Sequence, residues 1–325
     1  MPSSKKAFIT GITGFVGRYL AEYLNAQGFK VSGIDRWPTC DVPKISYFEG
    51  DILGTAALAQ LFSSIRPDRI FHLAGVSFPS DADKSPRQAL DINIMGAASI
   101  LDAAHQACPS SRILLVGSSK QYSDAAVADV ISEETPCQPT SFYGISKYAA
   151  ELIGMQYTRQ HGMDIRFTRS FNHTGPGQSE RFVCADWAKQ AAQIELGKAE
   201  AHEACGARIR VGDISPAIDF ADVRDVVRAY ALILEKGTKG EVYNVCSGKA
   251  VSLQELLAAI IAKSGKKIAI ERDSARLKMH KTGRKTVGDR SKLSRATGWE
   301  PEIPLSKTID DLYRYWLSSL SKPAA

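Results

Sequence analysis

The sequence predicts an α/β fold, a doubly wound parallel sheet joined to a smaller C-terminal α/β lobe. Three observations carry that prediction. Short apolar runs alternate with amphipathic stretches through the first half of the chain, a glycine-punctuated turn joins the first run to the first such stretch, and the alternation loosens after Asn172. The strand candidates are Lys6–Thr10, Lys30–Ile34, Ile45–Glu49, Arg69–Leu73, Arg112–Val116 and Asp164–Arg169. Strands separated by helices pair in parallel, and the helices cover both faces of the sheet.

The first strand runs into Gly11-Ile12-Thr13-Gly14-Phe15-Val16-Gly17, and the amphipathic segment 18–27 follows. Glycines in such a turn let the backbone approach a pyrophosphate, whose charge then rests at the helix N-terminus. The second strand ends at Asp35, eighteen positions after Gly17, where a carboxylate takes ribose hydroxyls. Arg36 follows directly, so a 2′-phosphate also has a partner. The expected cofactor is therefore NAD(H) or NADP(H). Ligands of parallel sheets sit beyond the carboxyl ends of the strands, and Asp51, Ala74, Gly75, Ser118 and Asn172 all fall at or just after such ends.

Tyr143-Gly144-Ile145-Ser146-Lys147 places a phenol and an ammonium four residues apart at the start of a helix, on one face. A free tyrosine titrates near ~10, and a cation ~4 Å away supplies roughly 1–4 kcal/mol toward lowering that value. Lys147 is thus expected to depress the Tyr143 pKa and make the phenol a usable acid or base. A surface pair on an amphipathic helix is the plainer reading of the same spacing.

Beyond Asn172, Gly175-Pro176-Gly177 breaks the chain before a helical stretch from Phe182 to Gly197. A strand-like Arg208–Val211 follows, then a turn leading into a helix over Asp219–Lys236, and a strand Glu241–Val245 that rejoins the main sheet. The expected division is 1–171 plus 219–246 for a dinucleotide-binding domain and 172–218 plus 247–325 for a substrate lobe. Trp299 and Trp316 are expected to pack the C-terminal region.

Composition limits the function classes. The 325 residues are 44% hydrophobic with a formal net charge of +6. No apolar run approaches the ~20 residues that span a bilayer, and the first short one leads into the glycine turn rather than a cleavage site. The six cysteines (40, 108, 137, 184, 205 and 246) are scattered without a C-x-x-C, and the six histidines are dispersed, so neither a metal site nor a disulfide framework is expected. A reducing cytoplasm suits them, with no membrane partner. Between Lys263 and Lys292 eleven Lys or Arg face three acidic residues. The stretch lacks the aromatic interleaving or reading module of a nucleic-acid binder, and a diphosphate is the more economical partner for several of its cations.

Gly11-x-x-Gly14-x-x-Gly17, Asp35, Asp51-Ile52, His72-Leu73-Ala74-Gly75, Gly117-Ser118-Ser119, Tyr143-x-x-x-Lys147 and Asn172 together resemble the extended branch of the short-chain dehydrogenase/reductase superfamily, over nearly the whole chain. The resemblance implies a Rossmann domain for a nicotinamide dinucleotide and a lobe for a nucleotide sugar. It also implies that Ser118 hydrogen-bonds the reacting oxygen, Tyr143 exchanges its proton, and Lys147 holds the nicotinamide ribose. Asn93 falls near that network, or else makes a helix-internal backbone contact.

Phe171-Asn172-His173-Thr174-Gly175-Pro176-Gly177-Gln178, Asp219-Phe220 and Tyr243-Asn244-Val245-Cys246 are similar to the GDP-sugar members. Those members imply reduction of the C4 ketone of GDP-4-keto-6-deoxy-D-mannose to GDP-D-rhamnose or its C4 epimer, GDP-6-deoxy-D-talose. Asn172, Arg181, Val183, Arg208 and Arg276 would then border the substrate with Ser118, and a four-helix contact would make a homodimer.

Related dehydratases carry a glutamate near the catalytic hydroxyl where this chain has Lys120. Ile218 and Lys278-Met279 also stand where relatives place arginines for the diphosphate, with Arg208, Arg276 or Arg284 as replacements. A nucleotide-sugar epimerase would use the same catalytic residues. A non-catalytic dinucleotide-sensing regulator would not need Ser118, Tyr143 and Lys147.

Overall fold

The computed structural model describes residues 5–123, 130–199, 207–276 and 285–322. In chain order the elements are β1 (Lys6–Thr10), α1 (Phe15–Ala26), β2 (Lys30–Asp35), β3 (Ile45–Glu49), α2 (Thr55–Ile65), β4 (Arg69–His72), α3 (Pro79–Lys84), α4 (Pro86–Leu90), α5 (Gly96–Ala107), β5 (Arg112–Ser118), α6 (Phe142–His161) and β6 (Asp164–Ser170). There follow β7 (Asn172–Thr174), α7 (Val183–Glu195), β8 (Arg208–Val211), β9 (Ala217–Asp222), α8 (Val223–Lys236), β10 (Val242–Val245), β11 (Ala250–Ser252), α9 (Leu253–Lys263), β12 (Ala269–Arg272), β13 (Lys285–Thr286), α10 (Ser291–Thr297) and α11 (Leu305–Ser321). The chain divides into two compact units, 1–171 with 226–245 and 289–300, and 172–225 with 246–288 and 301–325.

The first unit is a seven-stranded sheet in the order β10-β6-β5-β4-β1-β2-β3, with every pairing parallel. β1 is the hinge of that order. Strands β2 and β3 build outward on one side of it and β4 to β6 on the other, which opens a crevice at the carboxyl ends of β1 and β4. The central apolar runs read as strands because they are buried on both faces; β1 and β2 each hold four consecutive buried residues, whereas β3 at the sheet edge holds none. Between sheet and helices lies a core of Phe8, Phe62, Ile70, Leu101, Ile113 and Phe167. The strand Val242–Val245 joins β6 as expected.

Three expected strand ends move outward, to Ser170 in β6 and, for the two that carry side chains of chemical interest, to Asp35 in β2 and Ser118 in β5. Both chemical side chains therefore belong to strands, whose pleat fixes their direction, and not to the loops beyond them.

In the second unit, β9 pairs with β11, β13 and β7, while β12 pairs with β8. Helices α7, α9 and α11 enclose a core of Trp187, Ile209, Leu256, Leu257, Leu312 and Trp316. The expected turn at Asp219 is wrong: Asp219–Asp222 are the last four of the six residues of β9. Asp219 misleads because it is a buried carboxylate in a strand, held by the N–H groups of Ser247, Gly248 and Gly288 and by the Ser247 hydroxyl. The expected domain boundary moves with it. Residues 219–225 fall in the second unit, and 289–300 fall in the first, where α10 packs on β10 and Trp299 is fully buried. Among the described residues no helix is long and apolar enough to cross a membrane.

Gly17 is the tightest point of the β1–α1 junction, since a Cβ there would lie 2.3 Å from the Gly11 carbonyl oxygen and 2.7 Å from that of Ile12. Backbone cannot yield as a side chain does, and overpacking costs roughly 1–3 kcal/mol. Gly17→Ala is expected to lower the melting temperature by several degrees; a melt matching the wild type would show that the turn adjusts freely.

Candidate active site

The amide of Gly11 donates to the carbonyl of Ile34 at 2.9 Å, and that of Gly14 to the Gly11 carbonyl at 3.1 Å. Gly11 has φ +73, and a Cβ there would meet the backbone of Ala74 at 2.9 Å. The turn after β1 is thus pressed against the turn after β4. Gly14 caps α1 without a side-chain hydrogen bond, and the first turn of α1 holds no acidic residue. The positive end of the α1 dipole faces this turn, and the glycine cradle at the helix N-terminus fits a pyrophosphate.

Asp35 faces the same turn. Its Oδ2 accepts the Thr13 hydroxyl at 2.6 Å and the Thr13 amide at 3.3 Å, and its Oδ1 accepts the Arg36 amide at 2.8 Å. The carboxylate is oriented beforehand, with lone pairs left for a ribose. The Arg36 side chain is exposed and stacks over Trp37, 5.3 Å from the ring centre. Asp51 is exposed and accepts the Leu53 amide at 2.9 Å. Ile52 instead belongs to the core and fills the space beside Gly96, which makes it chiefly a packing residue. Leu73 and Ala74 hang from Thr10, whose carbonyl accepts the Leu73 amide and whose hydroxyl accepts that of Ala74. The same hydroxyl lies 2.9 Å from Nδ1 of buried His72. Burial and the neighbouring charge of Lys147 push that imidazole down to about 3, so it is neutral.

The α6 N-terminus is cut to fit the end of β5. Ser141 accepts the Gly144 amide at 3.1 Å and caps the helix. A Cβ on Gly144 would lie 2.3 Å from the Lys120 carbonyl oxygen, so only glycine lets the first turn of α6 reach the 3-10 turn Ser119–Gln121. The Tyr143 phenol is thereby brought beside the Ser118 side chain, which works to lower its pKa. Lys147, one turn on, donates to the Val116 carbonyl at 3.0 Å and lines a polar recess with His72, Asn93, Glu151 and Thr168.

The expectation that Lys147 depresses the Tyr143 pKa is overturned. Burial raises it, and only the Ser118 side chain works in the other direction. Lys147 is itself pulled down to about 8 by burial, and its Nζ is spent on a carbonyl. Asn93 lies on a π-helical turn, Asp91–Met95. Its Oδ1 accepts the Val76 amide at 2.7 Å, and its Nδ2 donates to the Val76 carbonyl at 3.2 Å and to Ser146 at 2.8 Å. That contact is not helix-internal; it ties the loop after β4 to α6. Gly75 makes room for it, because a Cβ there would lie 2.6 Å from Asn93 Oδ1 and 3.6 Å from Lys147 Nζ.

The second unit carries the other candidates. Asn172 is exposed and opens β7 opposite Phe220. Arg181 is exposed, with its amide donating to Ser179 at 3.3 Å, and Val183 is the first residue of α7. Arg208 pairs with Glu271 at 3.8 Å, and Arg276 with both Asp186 and Asp273. Each guanidinium thus already faces a carboxylate, with further N–H donors left on it. Lys278, Met279 and Arg284 lie outside the described residues.

Sequence reasoning missed a buried polar group behind Ser118. Arg169 grips Glu151 with two hydrogen bonds, of 2.6 and 3.0 Å, and Glu151 accepts Gln121 at 2.6 Å. Arg169 also donates to Tyr122 at 3.1 Å, and Tyr122 to Asn244 at 2.8 Å. The available signals were an arginine inside a buried strand and a glutamate four residues after Lys147.

A family model described as GDP-mannose 4,6 dehydratase matches residues 8–312. The chain belongs to that family. Within the GDP-mannose 4,6-dehydratase family it is 34% identical to the GDP-6-deoxy-D-mannose reductase of Pseudomonas aeruginosa, over 97% of this chain and 98% of the relative. It is 27% identical to GDP-mannose 4,6 dehydratase 2 of Caenorhabditis elegans, over 95% and 88%. The solved structure of RMD from Pseudomonas aeruginosa complexed with NADPH superposes with a TM-score of 0.84 at 31% identity, covering 97% of this chain and all of that one. A UDP-glucose 4-epimerase from Thermotoga maritima, at 24% identity and TM-score 0.85, shares the fold.

The Lys147 pKa has a checkable consequence. Between about 8 and the ordinary 10.5 the unfolded chain holds a proton that the folded one has released, so this group makes stability rise with pH across that window. Carbon NMR of labelled lysines in the free protein is expected to show one resonance with a midpoint about 8 that Lys147→Met removes. A lowest midpoint above 10 would mean that the ammonium is hydrated.

Proposed function

We propose that the chain is an NAD(P)H-dependent reductase of the C4 ketone of GDP-4-keto-6-deoxy-D-mannose, forming GDP-D-rhamnose or its C4 epimer. The observation that carries this is the juxtaposition of Ser118 at the end of β5 with Tyr143 on the first turn of α6 and Lys147 one turn on, with Lys120 where a dehydratase needs a carboxylate. The likeness to the Pseudomonas reductase and to the NADPH complex supports it. In this reading the first unit binds the dinucleotide and the second the nucleotide sugar, through Asn172, Arg181, Val183, Arg208 and Arg276.

Gly11, Gly14, Phe15, Val16 and Gly17 would hold the pyrophosphate. Asp35 would hold the adenosine ribose with Arg36 serving a 2′-phosphate, and Asp51, Leu73, Ala74 and Gly75 would line the cofactor. A bound reduced nicotinamide supplies the hydride. Ser118 donates a hydrogen bond to the ketone oxygen as charge develops there, and Tyr143 gives that oxygen its proton. A raised phenol pKa suits this direction. An alkoxide is roughly as basic as hydroxide, whose conjugate acid titrates at ~15.7, so a tyrosine above its ordinary value still donates downhill. Lys147 holds the nicotinamide ribose and supplies local positive charge; Asn93 steadies α6 beneath both.

With NADPH or NADH and GDP-4-keto-6-deoxy-D-mannose, the protein is expected to oxidise one cofactor per ketone reduced, read at 340 nm. Tyr143→Phe and Ser118→Ala are expected to lower kcat by ~10²–10⁴-fold and ~10²-fold while cofactor binding persists. Product without net cofactor consumption would point to an epimerase. Cofactor binding without turnover on any ketosugar would point to a regulator.

The proposal includes a cytoplasmic homodimer, though not through the small residues of α6. Gly154 abuts Leu115 and Phe167 of its own sheet, and Ala150 is buried as well. The opposite face of α6 exposes Ile145 and Leu152, seven apart, and Met95 is 54% exposed just before α5. Ile145→Glu with Leu152→Glu is expected to shift a dimer to monomer in sedimentation; an unchanged mass would place any interface elsewhere.

A further inference from the structure

Gln121 is fully buried, yet it touches no atom assigned above to cofactor or substrate. Its Oε1 accepts the Ser118 amide at 2.8 Å, and its Nε2 donates to Glu151 Oε2 at 2.6 Å. The amide cannot be flipped, because the Ser118 N–H can only donate and the carboxylate can only accept. Glu151 is in turn fixed by the two bonds from Arg169 of β6, and Arg169 stacks on Tyr122, 4.9 Å from its ring centre. Gly117 completes the fit: a Cβ there would lie 2.2 Å from Gln121 Oε1 and 2.4 Å from the Thr168 carbonyl oxygen. One continuous polar brace, of fixed polarity, runs from β6 through α6 to the end of β5.

From this geometry we infer that Gln121 is a positioning residue for the reaction, setting the separation of Ser118 and Tyr143. The two hydroxyls belong to different elements, β5 and α6. Glu151 lies one helical turn beyond Lys147 on α6, and Gln121 bonds at once to that glutamate and to the backbone of Ser118. The brace therefore measures the gap that the reacting oxygen must bridge, and displacements near 1 Å in such gaps cost ~10²-fold in rate. The glycine cradle and Asp35 are outside it, so the contacts proposed for the pyrophosphate and the adenosine ribose do not depend on it.

The inference rests on the reductase reading, and the test separates the two. Gln121→Leu keeps the volume and removes both hydrogen bonds. It is expected to lower kcat by ~10–100-fold with KM for NADPH within about twofold. Gln121→Glu keeps an acceptor for the Ser118 amide but sets a second carboxylate against Glu151, and its kcat is expected to fall as well. The inference is overturned if Q121L or Q121E keeps the wild-type kcat, or if the KM of Q121L for NADPH rises in step with the loss. Absence of turnover in the wild type would count against the reductase reading alone. Amide hydrogen exchange then decides the brace: loss of protection in Q121L confined to 118–122 supports it, and unchanged protection overturns it.

Discussion

The approach of α6 to the end of β5 is the constraint on which the site depends. Tyr143 and Lys147 come from one helix and Ser118 from one strand, and the two elements meet only because position 144 has no side chain to hold them apart. Ser141 then ends the helix cleanly with a cap, so the phenol sits on the first turn, where its direction is settled. What a remote reading describes as a four-residue spacing is, in three dimensions, a contact between a helix backbone and a carbonyl oxygen.

The junction of β1, α1 and β2 was legible because its physics is local. A buried strand, three glycines, a helix and an acidic residue follow one another along the chain, and each has a conformational reason visible in its residue type. Strand positions were legible for the same reason: doubly buried parallel strands are continuous apolar runs. What escaped depends on partners distant in sequence. Asp219 looks like a turn residue until four donors from two remote loops surround it. Gly154 is a small residue with no visible reason until Leu115 and Phe167 are seen against it. The direction of the Tyr143 pKa was missed because spacing shows that a cation is near but not that its donor is already bonded to Val116, nor how much water burial removes.

Arg166 and Arg169 show the limit from the other side. Charged residues in a central strand argue against the strand by composition, yet each is satisfied, Arg166 by Asp164 and the Gly237 carbonyl, Arg169 by Glu151 and Tyr122. Buried pairs of this kind contribute little net stability compared with apolar packing. Their use here is directional, since a bidentate guanidinium accepts its carboxylate in one plane.

The π-helical turn Asp91–Met95 carries an implication for how this chain can vary. Such a turn accommodates one residue more than the surrounding helix would, so α4 and α5 on its two sides are out of phase by about a third of a rotation. Removing a single residue there would let the segment relax into one straight rod and swing the amide of Asn93 away from Val76. Length in this short stretch is accordingly as much a property of the catalytic neighbourhood as identity, and shortening it would be felt where substitution at the neighbouring exposed Met95 would pass unnoticed.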